Sequence, residues 1–425
     1  MSAIAQHHAL PKGREITTLI VLCAVQFTHI LDYMIMMPLG GQLMRVFNIS
    51  PSQFTHLVAS YGLAAAVSGF AGGFFLDRFD RKRSLLFLYT GFALATLACG
   101  LAPTENALLV SRLAAGAFGG LAGSMVSAMV GDVIPPSRRG RAMSFVMTAF
   151  PVASVLGVPT GLVLAGRFGW HAPFFLLAGC AAINLVVAAF ALPHLSTAVQ
   201  NHRPARQMKE ILSHGIHLRA FAVGAVLVMS GGLVVPFLAP SFIANVGLNE
   251  STQLPLAYAC GGLATAVSTP IIGWLSDHMD RLRLLTIMSA CAIVVVFIIT
   301  RLGPSPLGVA ALMMALFMVT MSGRFAPAMT MITNAVDARY RGGFMSVNSA
   351  LQQASSGMAS LLAGLFVSRS PTGQLLGLPT LGYVSAGFFA LSVLLAFGLR
   401  AAAPHVATPA AKESRPPPPP AEAAA

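Results

Sequence analysis

Apolar runs of roughly 20 residues recur along the whole chain, separated by short polar breaks, and each is long enough to cross a hydrocarbon layer of about 30 Å as a helix. In the first half they cover 16–38, 54–76, 84–102, 107–131, 142–166 and 172–193. In the second half they cover 219–244, 252–276, 284–302, 307–335, 344–368 and 379–400. Lipid offers backbone groups no partner, so the runs predict helices. The pattern predicts an all-α membrane protein of twelve transmembrane helices in two six-helix bundles. Its segments are an N-terminus at 1–15, a first bundle at 16–193, a linker at 194–218, a second bundle at 219–400 and a tail at 401–425. Lys12 and Arg14 ahead of the first run suggest a secretory leader, but that run is too long and no A-x-A site follows, so it is read as the first span. The linker is polar and basic, with room for a short surface helix. The tail, with Pro416 to Pro420, reads as disordered or as a Pro-rich docking ligand.

The two bundles are copies. Displaced by 200 positions, Gly62 to Leu85 superposes on Gly262 to Leu285 with 12 of 24 residues identical. Chance matching in so Ala/Gly/Leu-rich a chain gives roughly two. A second match pairs Arg139, Gly140, Met143 and Ser144 with Arg341, Gly342, Met345 and Ser346. Both copies of the repeated basic loop belong in one compartment, which requires an even number of spans between them and makes the repeat parallel.

With 56% hydrophobic and only 9% charged residues, the chain has too much apolar surface for a soluble enzyme. Its formal charge of +13 raises the question of nucleic acid, which the position of each charge answers. With both termini in the cytoplasm, twenty of the 26 Lys/Arg fall in cytoplasmic segments. Arg45, Arg167, Arg301 and Arg369 lie on the far side, and Arg112 and Arg324 lie within spans. That is the positive-inside bias of a membrane protein. Cys23, Cys99, Cys180, Cys260 and Cys291 all fall inside predicted spans without C-x-x-C spacing, so they read as packing residues.

After the second run, Gly73-Phe-Phe-Leu-Asp77-Arg78-Phe-Asp80-Arg81-Lys82-Arg83 resembles the signature loop of the major facilitator superfamily, G-x-x-x-D-[RK]-x-G-R-[RK]. A degenerate copy, Gly273 to Arg283, holds the equivalent place. Arg112-x-x-x-Gly116, Gly157-Val-Pro159-Thr-Gly161 and Asp32 are similar to features of its twelve-span drug:proton antiporter branch, which includes the arabinose-efflux-permease-like proteins. The resemblance covers roughly residues 16 to 400. It departs at the turn glycine, replaced by Asp80 and Asp280, where aspartate tolerates a left-handed or turn conformation and can bond the local backbone. The span 5 motif also lacks the usual G-P pair.

An ionisable residue inside a span is costly in lipid and is by default a functional candidate. His29, Asp32, Arg112 and Arg324 qualify. Asp32 is the one acid of 13 inside a predicted span, which makes it the candidate proton carrier. A dry setting favours the neutral acid and a nearby arginine favours the carboxylate, so alternation between them couples protonation to conformation. The other reading is a solvated acid at the outer boundary. His29 and Thr28 share the helical face of Asp32. His29 is read as a coupling residue or as a hydrogen-bonded packing residue. Arg112 precedes a small-residue stripe, Gly116, Gly119, Gly120 and Gly123, suited to close helix approach. By resemblance Arg112 is the span 4 arginine of proton transfer; otherwise it is structural, bonded to carbonyls. Arg324, deep in span 10 with no acid on that span, suits an anionic or hydroxyl-rich solute or bonds to helix carbonyls. Gln26, Tyr61, Gln352 and Gln353 either line the path or bond between helices.

The candidate cytoplasmic gate comprises Gly73, Asp77, Arg78 and Arg81 with the copies Gly273, Asp277 and Arg281. By resemblance Asp77 meets the start of span 11, Arg341 to Phe344, where a helix N-terminus favours negative charge, and Arg78 and Arg81 reach Asp132. Otherwise these charges only set topology. Gly157, Pro159 and Gly161 bend span 5, a seal between halves by resemblance or a plain kink. Together these features imply a secondary active transporter exporting a small organic solute, such as a drug, sugar or metabolite, by proton antiport and alternating access. No catalytic residue, metal or cofactor beyond the coupling proton is expected. The expected partners are the solute and the lipid bilayer, without nucleic acid, for a monomer in a bacterial inner membrane. Uptake by symport, facilitated diffusion or a transporter-like sensor are alternatives. No H-E-x-x-H, nucleophile elbow or intramembrane carboxylate pair supports an enzyme.

Overall fold

The computed structural model describes residues 12–75, 79–135, 138–193, 204–337 and 340–406. Spans 1 to 6 are Lys12–Ile35, Pro51–Phe75, Arg81–Leu101, Glu105–Val133, Arg139–Phe168 and Ala172–Ala191. Spans 7 to 12 are Gly215–Ala244, Gln253–His278, Arg281–Ile299, Leu307–Asn334, Arg341–Phe366 and Leu378–Ala402. Among the described residues, eleven of these helices are long and apolar enough to cross a membrane. The exception is span 11, which is long enough but carries Asn348, Gln352, Gln353, Ser355, Ser356 and Ser360.

Span 7 starts at Gly215, earlier than expected, because His217 is buried with its Nδ1 2.9 Å from the Ile211 carbonyl and so belongs to the fold. Ahead of it Pro204–Ser213 forms the short linker helix, tied to the start of span 11 by a Tyr340 hydroxyl donating to Glu210 at 3.1 Å. Positions 194–203 of the linker and 407–425 of the tail lie outside the described residues. Of the cysteines, Cys99 is buried, whereas Cys180, Cys260 and Cys291 are exposed on helix surfaces that would face lipid, so the packing role does not extend to those three.

The aspartates that replace the turn glycine are not left-handed. Asp80 (φ −57°) and Asp280 (φ −59°) are N-caps of spans 3 and 9, accepting hydrogen bonds from the Arg83 and Arg283 amides at 2.8 and 2.9 Å. An aspartate does here what glycine cannot, supplying an acceptor for an orphan N–H. Asp80→Ala and Asp280→Ala are each expected to lower stability by about 1 kcal/mol. The second should lose somewhat more, because Asp280 also pairs with Arg400 at 3.2 Å. Thermal unfolding in detergent checks this, and Asn at either position should recover most of the loss.

Apolar packing shows how the halves meet. At the end away from the chain termini one cluster draws on both, joining Leu39, Phe54 and Leu57 to Val234, Phe237 and Phe242. Toward the termini the core divides in two. One cluster lies within the first bundle (Val21, Leu88, Met129) and the other within the second (Phe221, Met331, Phe344). Among the described residues, apolar packing is thus shared by the halves at the far end and kept within each half toward the termini.

Candidate functional site

Asp32 is fully buried in span 1 at the depth where the core divides. Arg112, equally buried in span 4, donates from Nη1 to the Asp32 carboxylate at 2.7 Å and to its backbone carbonyl at 3.2 Å. Thr96 of span 3 donates to the other carboxylate oxygen at 3.4 Å. A solvated acid at the membrane boundary is therefore excluded. The guanidinium lies 4.6 Å from the centre of the Tyr61 ring, a cation–π contact that covers one of its faces. Tyr61 bonds the His29 Nδ1 through its hydroxyl at 2.8 Å and packs on Tyr33, whose own hydroxyl bonds Ser356 of span 11 in the other half.

The small-residue stripe of span 4 makes this possible. A methyl group at Gly116 would lie 2.3 Å from the Tyr61 carbonyl oxygen, at Gly119 2.5 Å from the Tyr61 hydroxyl, and at Gly120 2.8 Å from Ala65 Cα. Only glycine lets span 2 lie this close to span 4. At Gly123 the nearest atom would be His29 Nε2 at 3.0 Å. One sequence expectation changes: Thr28 bonds Tyr89 at 2.9 Å instead of sharing the Asp32 environment. Of the two readings of Tyr61, the bond between helices is the one seen here, to His29 of span 1, with the side chain fully buried within the ion-pair cluster.

In the second half Arg324 stands at the break of span 10, between Leu307–Gly323 and Phe325–Asn334. It is 1% exposed, donates to the Ser230 hydroxyl at 2.9 Å, approaches Met321 Sδ at 3.4 Å and lies 4.1 Å from the Phe389 ring centre. Among the described residues its side chain thus meets a hydroxyl, a thioether and a ring, and no helix carbonyl. Gln352 approaches Met329 Sδ at 3.4 Å, and the oxygens of Gln26 and Asn348 have no hydrogen-bond partner among the described residues.

Of the expected gate, Arg81 pairs with Asp132 at 2.9 Å, joining the ends of spans 3 and 4. Asp77 and Arg78, and the surroundings of Gly73, lie outside what is described. Gly273 has open space around it, Asp277 and Arg341 are exposed, and Arg281 is buried, its Nη1 3.5 Å from the Val406 carbonyl. The repeat does not reproduce the acid, because Asn334 stands where Asp132 does in the first half.

Span 5 bends through a π-helical turn, Ala153–Gly157, with Pro159 opening the next segment. Gly157 and Gly161 face Leu31 and Ile35 of span 1, within their own half. The contact across the halves is made instead by the π turn, since a methyl at Gly262 of span 8 would lie 2.8 Å from the Ser154 carbonyl. Its repeat partner Gly62 of span 2 does the same against span 11, 2.9 Å from the Gln353 carbonyl. The glycines shared by the two copies of the repeat carry this signal, which in sequence speaks only for duplication. At the far end Arg45 pairs with Glu250, Phe54 and Phe237 meet edge to face at 6.4 Å, and Gly166 lies against Ser251. In sequence Arg45 is only a far-side charge, and neither it nor Glu250 is distinguishable by pattern from any loop residue.

Comparison with known proteins matches the family model described as Major Facilitator Superfamily to residues 22–360. An uncharacterised MFS-type transporter of Bacillus subtilis, YceJ, is 30% identical over 182 residues, 43% of this chain and 46% of that one. Multidrug resistance protein 2 of the same organism is 27% identical over 225 residues, 51% of this chain and 56% of that one. The chain thus matches about half the length of these relatives. Among solved structures, a bacterial homolog of the human lysosomal transporter Spinster in an inward-facing, unoccupied conformation superposes with a TM-score of 0.72 at 15% identity, over 95% of this chain and 100% of that one. A D-xylose–proton symporter gives 0.71 at 16% identity, over 91% and 97%.

Proposed function

The chain belongs to the major facilitator superfamily, a family of membrane transporters, and on that footing we propose that it exports a small organic solute in exchange for protons, by alternating access. The observation that carries this reading is the Asp32–Arg112 pair, the buried acid of the membrane interior locked to a buried base where the two lobes part. A proton placed on Asp32 cancels its charge and loosens Arg112. Arg112 rests on Tyr61, Tyr61 on Tyr33, and Tyr33 bonds Ser356 across the halves, so the loosening is felt at the interface between them. The lobes then rock about the mid-depth layer. Apolar packing shared at the far end and divided toward the termini supports a state that opens on the side of the termini. The Lys/Arg bias supports assigning that side to the cytoplasm of a bacterial inner membrane, with the signature loop as its gate and the Arg81–Asp132 pair anchoring that loop within the first lobe. Relatives named for multidrug resistance favour export, and a monomer suffices because both lobes come from one chain.

The test is solute-dependent proton movement in proteoliposomes across a solute panel, with the gradient imposed in each direction. Asp32→Asn is expected to abolish proton movement while leaving solute counterflow measurable. Full solute-dependent proton movement in that variant would remove Asp32 from the coupling. Proton and solute moving together would replace antiport with symport.

A further inference from the structure

Charge accounting in the membrane interior leaves one guanidinium over. The chain has 13 acids, and the one placed at mid-depth, Asp32, is taken by Arg112. Arg324 therefore has no carboxylate partner among the described residues, although it is 1% exposed. A guanidinium offers five N–H donors in a planar fork. Here they meet one hydroxyl, on Ser230 at 2.9 Å, and one weakly accepting thioether, on Met321 at 3.4 Å, while Nε has no acceptor among the described residues. Lipid-embedded arginines are held in place by acids or carbonyls, so a cation this poorly matched stands ready for an anion that arrives.

Its position gives such an anion a route. Along span 10 Arg324 lies between Phe317 of the shared far-end core and Ala328 of the separate core of the second lobe. Ser230 lies between Leu227 and Leu233, which divide the same way. Both therefore sit where the halves diverge, level with Asp32 in the opposite lobe. A methyl group at Gly231 would lie 2.7 Å from Met321 Sδ and 3.7 Å from the guanidinium, so the glycine makes room for both side chains, and the Phe389 ring closes one face. Six residues before Ser230, at Gly224, the same wall presents Asn348, buried with its Oδ1 unpartnered. At 1.5 Å per residue that acceptor lies about 9 Å along the helix from the arginine.

We infer that the solute is an organic anion whose carboxylate is held by the Arg324 fork, with an apolar or aromatic body and a hydrogen-bond donor that reaches Asn348. This rests on the transport reading above and narrows its solute class. It has an electrical consequence: a monoanion leaving against one entering proton moves two charges per cycle, a neutral solute only one.

Binding tests the inference without requiring transport. Thermal unfolding of the purified protein is followed against matched pairs of arylalkyl carboxylates and their amides, such as 3-(4-hydroxyphenyl)propionate and 3-(4-hydroxyphenyl)propionamide, and against chloride and inorganic phosphate. A saturable upward shift is expected with carboxylates and not with amides. It should weaken at least tenfold in Arg324→Lys, which keeps the charge but not the fork, and vanish in Arg324→Gln. Should the Gln variant not fold, the Lys variant carries the comparison. The inference is overturned if amides shift the protein as well as carboxylates, if chloride or phosphate reproduces the effect, if no carboxylate in the panel binds, or if Arg324→Lys binds like the parent. Proton exchange driven by neutral solutes, with no carboxylate bound, defeats this inference alone. Carboxylate binding without any proton movement defeats the export reading alone.

Discussion

Arg112→Met is expected to destabilise the protein by about 3–5 kcal/mol, the range for a buried ion pair broken from one side. Methionine fills much of the same volume, so the loss is electrostatic. It leaves the Asp32 carboxylate at 0% exposure with only a 3.4 Å contact from Thr96, and it strips the Tyr61 ring of its cation. Asp32→Asn should be far milder, since Arg112 keeps the Asp32 backbone carbonyl at 3.2 Å and the Tyr61 face. Combining the two substitutions should recover much of the loss, because no unpaired ion then remains. Thermal unfolding of the three variants in one detergent measures the coupling. If Arg112→Met melts with the parent, the pair contributes nothing to the fold and its part in coupling loses its structural basis.

Gly62→Val and Gly262→Val act on a different free energy, the balance between states. Each puts a Cβ within 2.9 Å of a backbone atom in the opposite half, where no side chain can swing aside. Overpacking of this kind costs about 1–3 kcal/mol. The strain exists only while the far end is closed, so it shifts the population toward far-end opening, by roughly tenfold for each 1.4 kcal/mol. Turnover should fall accordingly, with the fold retained. A cysteine at Ser251, which lies against Gly166 in the far-end seal, should label faster with an impermeant thiol reagent in both variants, in a background without the native cysteines. Unchanged labelling in a folded, slow variant would mean that these contacts do not report the state.

Much of the architecture was legible because lipid imposes a coarse and severe rule. Runs of apolar residues had to be helices, the repeat had to be parallel, and Asp32 and Arg112 had to justify their places inside spans. Their meeting at 2.7 Å follows from the glycine stripe, whose spacing announced close helix approach without saying to which helix. What escaped was chemistry without a pattern. Asp80 and Asp280 read as turn residues able to bond the local backbone, and they do, but that the 2.8 and 2.9 Å bonds cap spans 3 and 9 is invisible in composition. Tyr61 reads equally as a path-lining residue or as a bond between helices, because its sequence position carries no depth. Ser230, Ser356 and Thr96 are ordinary hydroxyls in apolar runs, and most hydroxyls in such runs bond their own helix. Only the tertiary arrangement separates the few that reach across.

Span 11 has a meaning for biogenesis. A segment bearing Asn348, Gln352 and Gln353 partitions poorly from the translocon into lipid, yet in the finished protein it lies tightly against span 2, Gly357 against Leu63 and Gly364 against Thr55. Its place in the bilayer is owed to a neighbour synthesised nearly three hundred residues earlier. Span 11 is therefore expected to settle in the bilayer against a first bundle that is already in place.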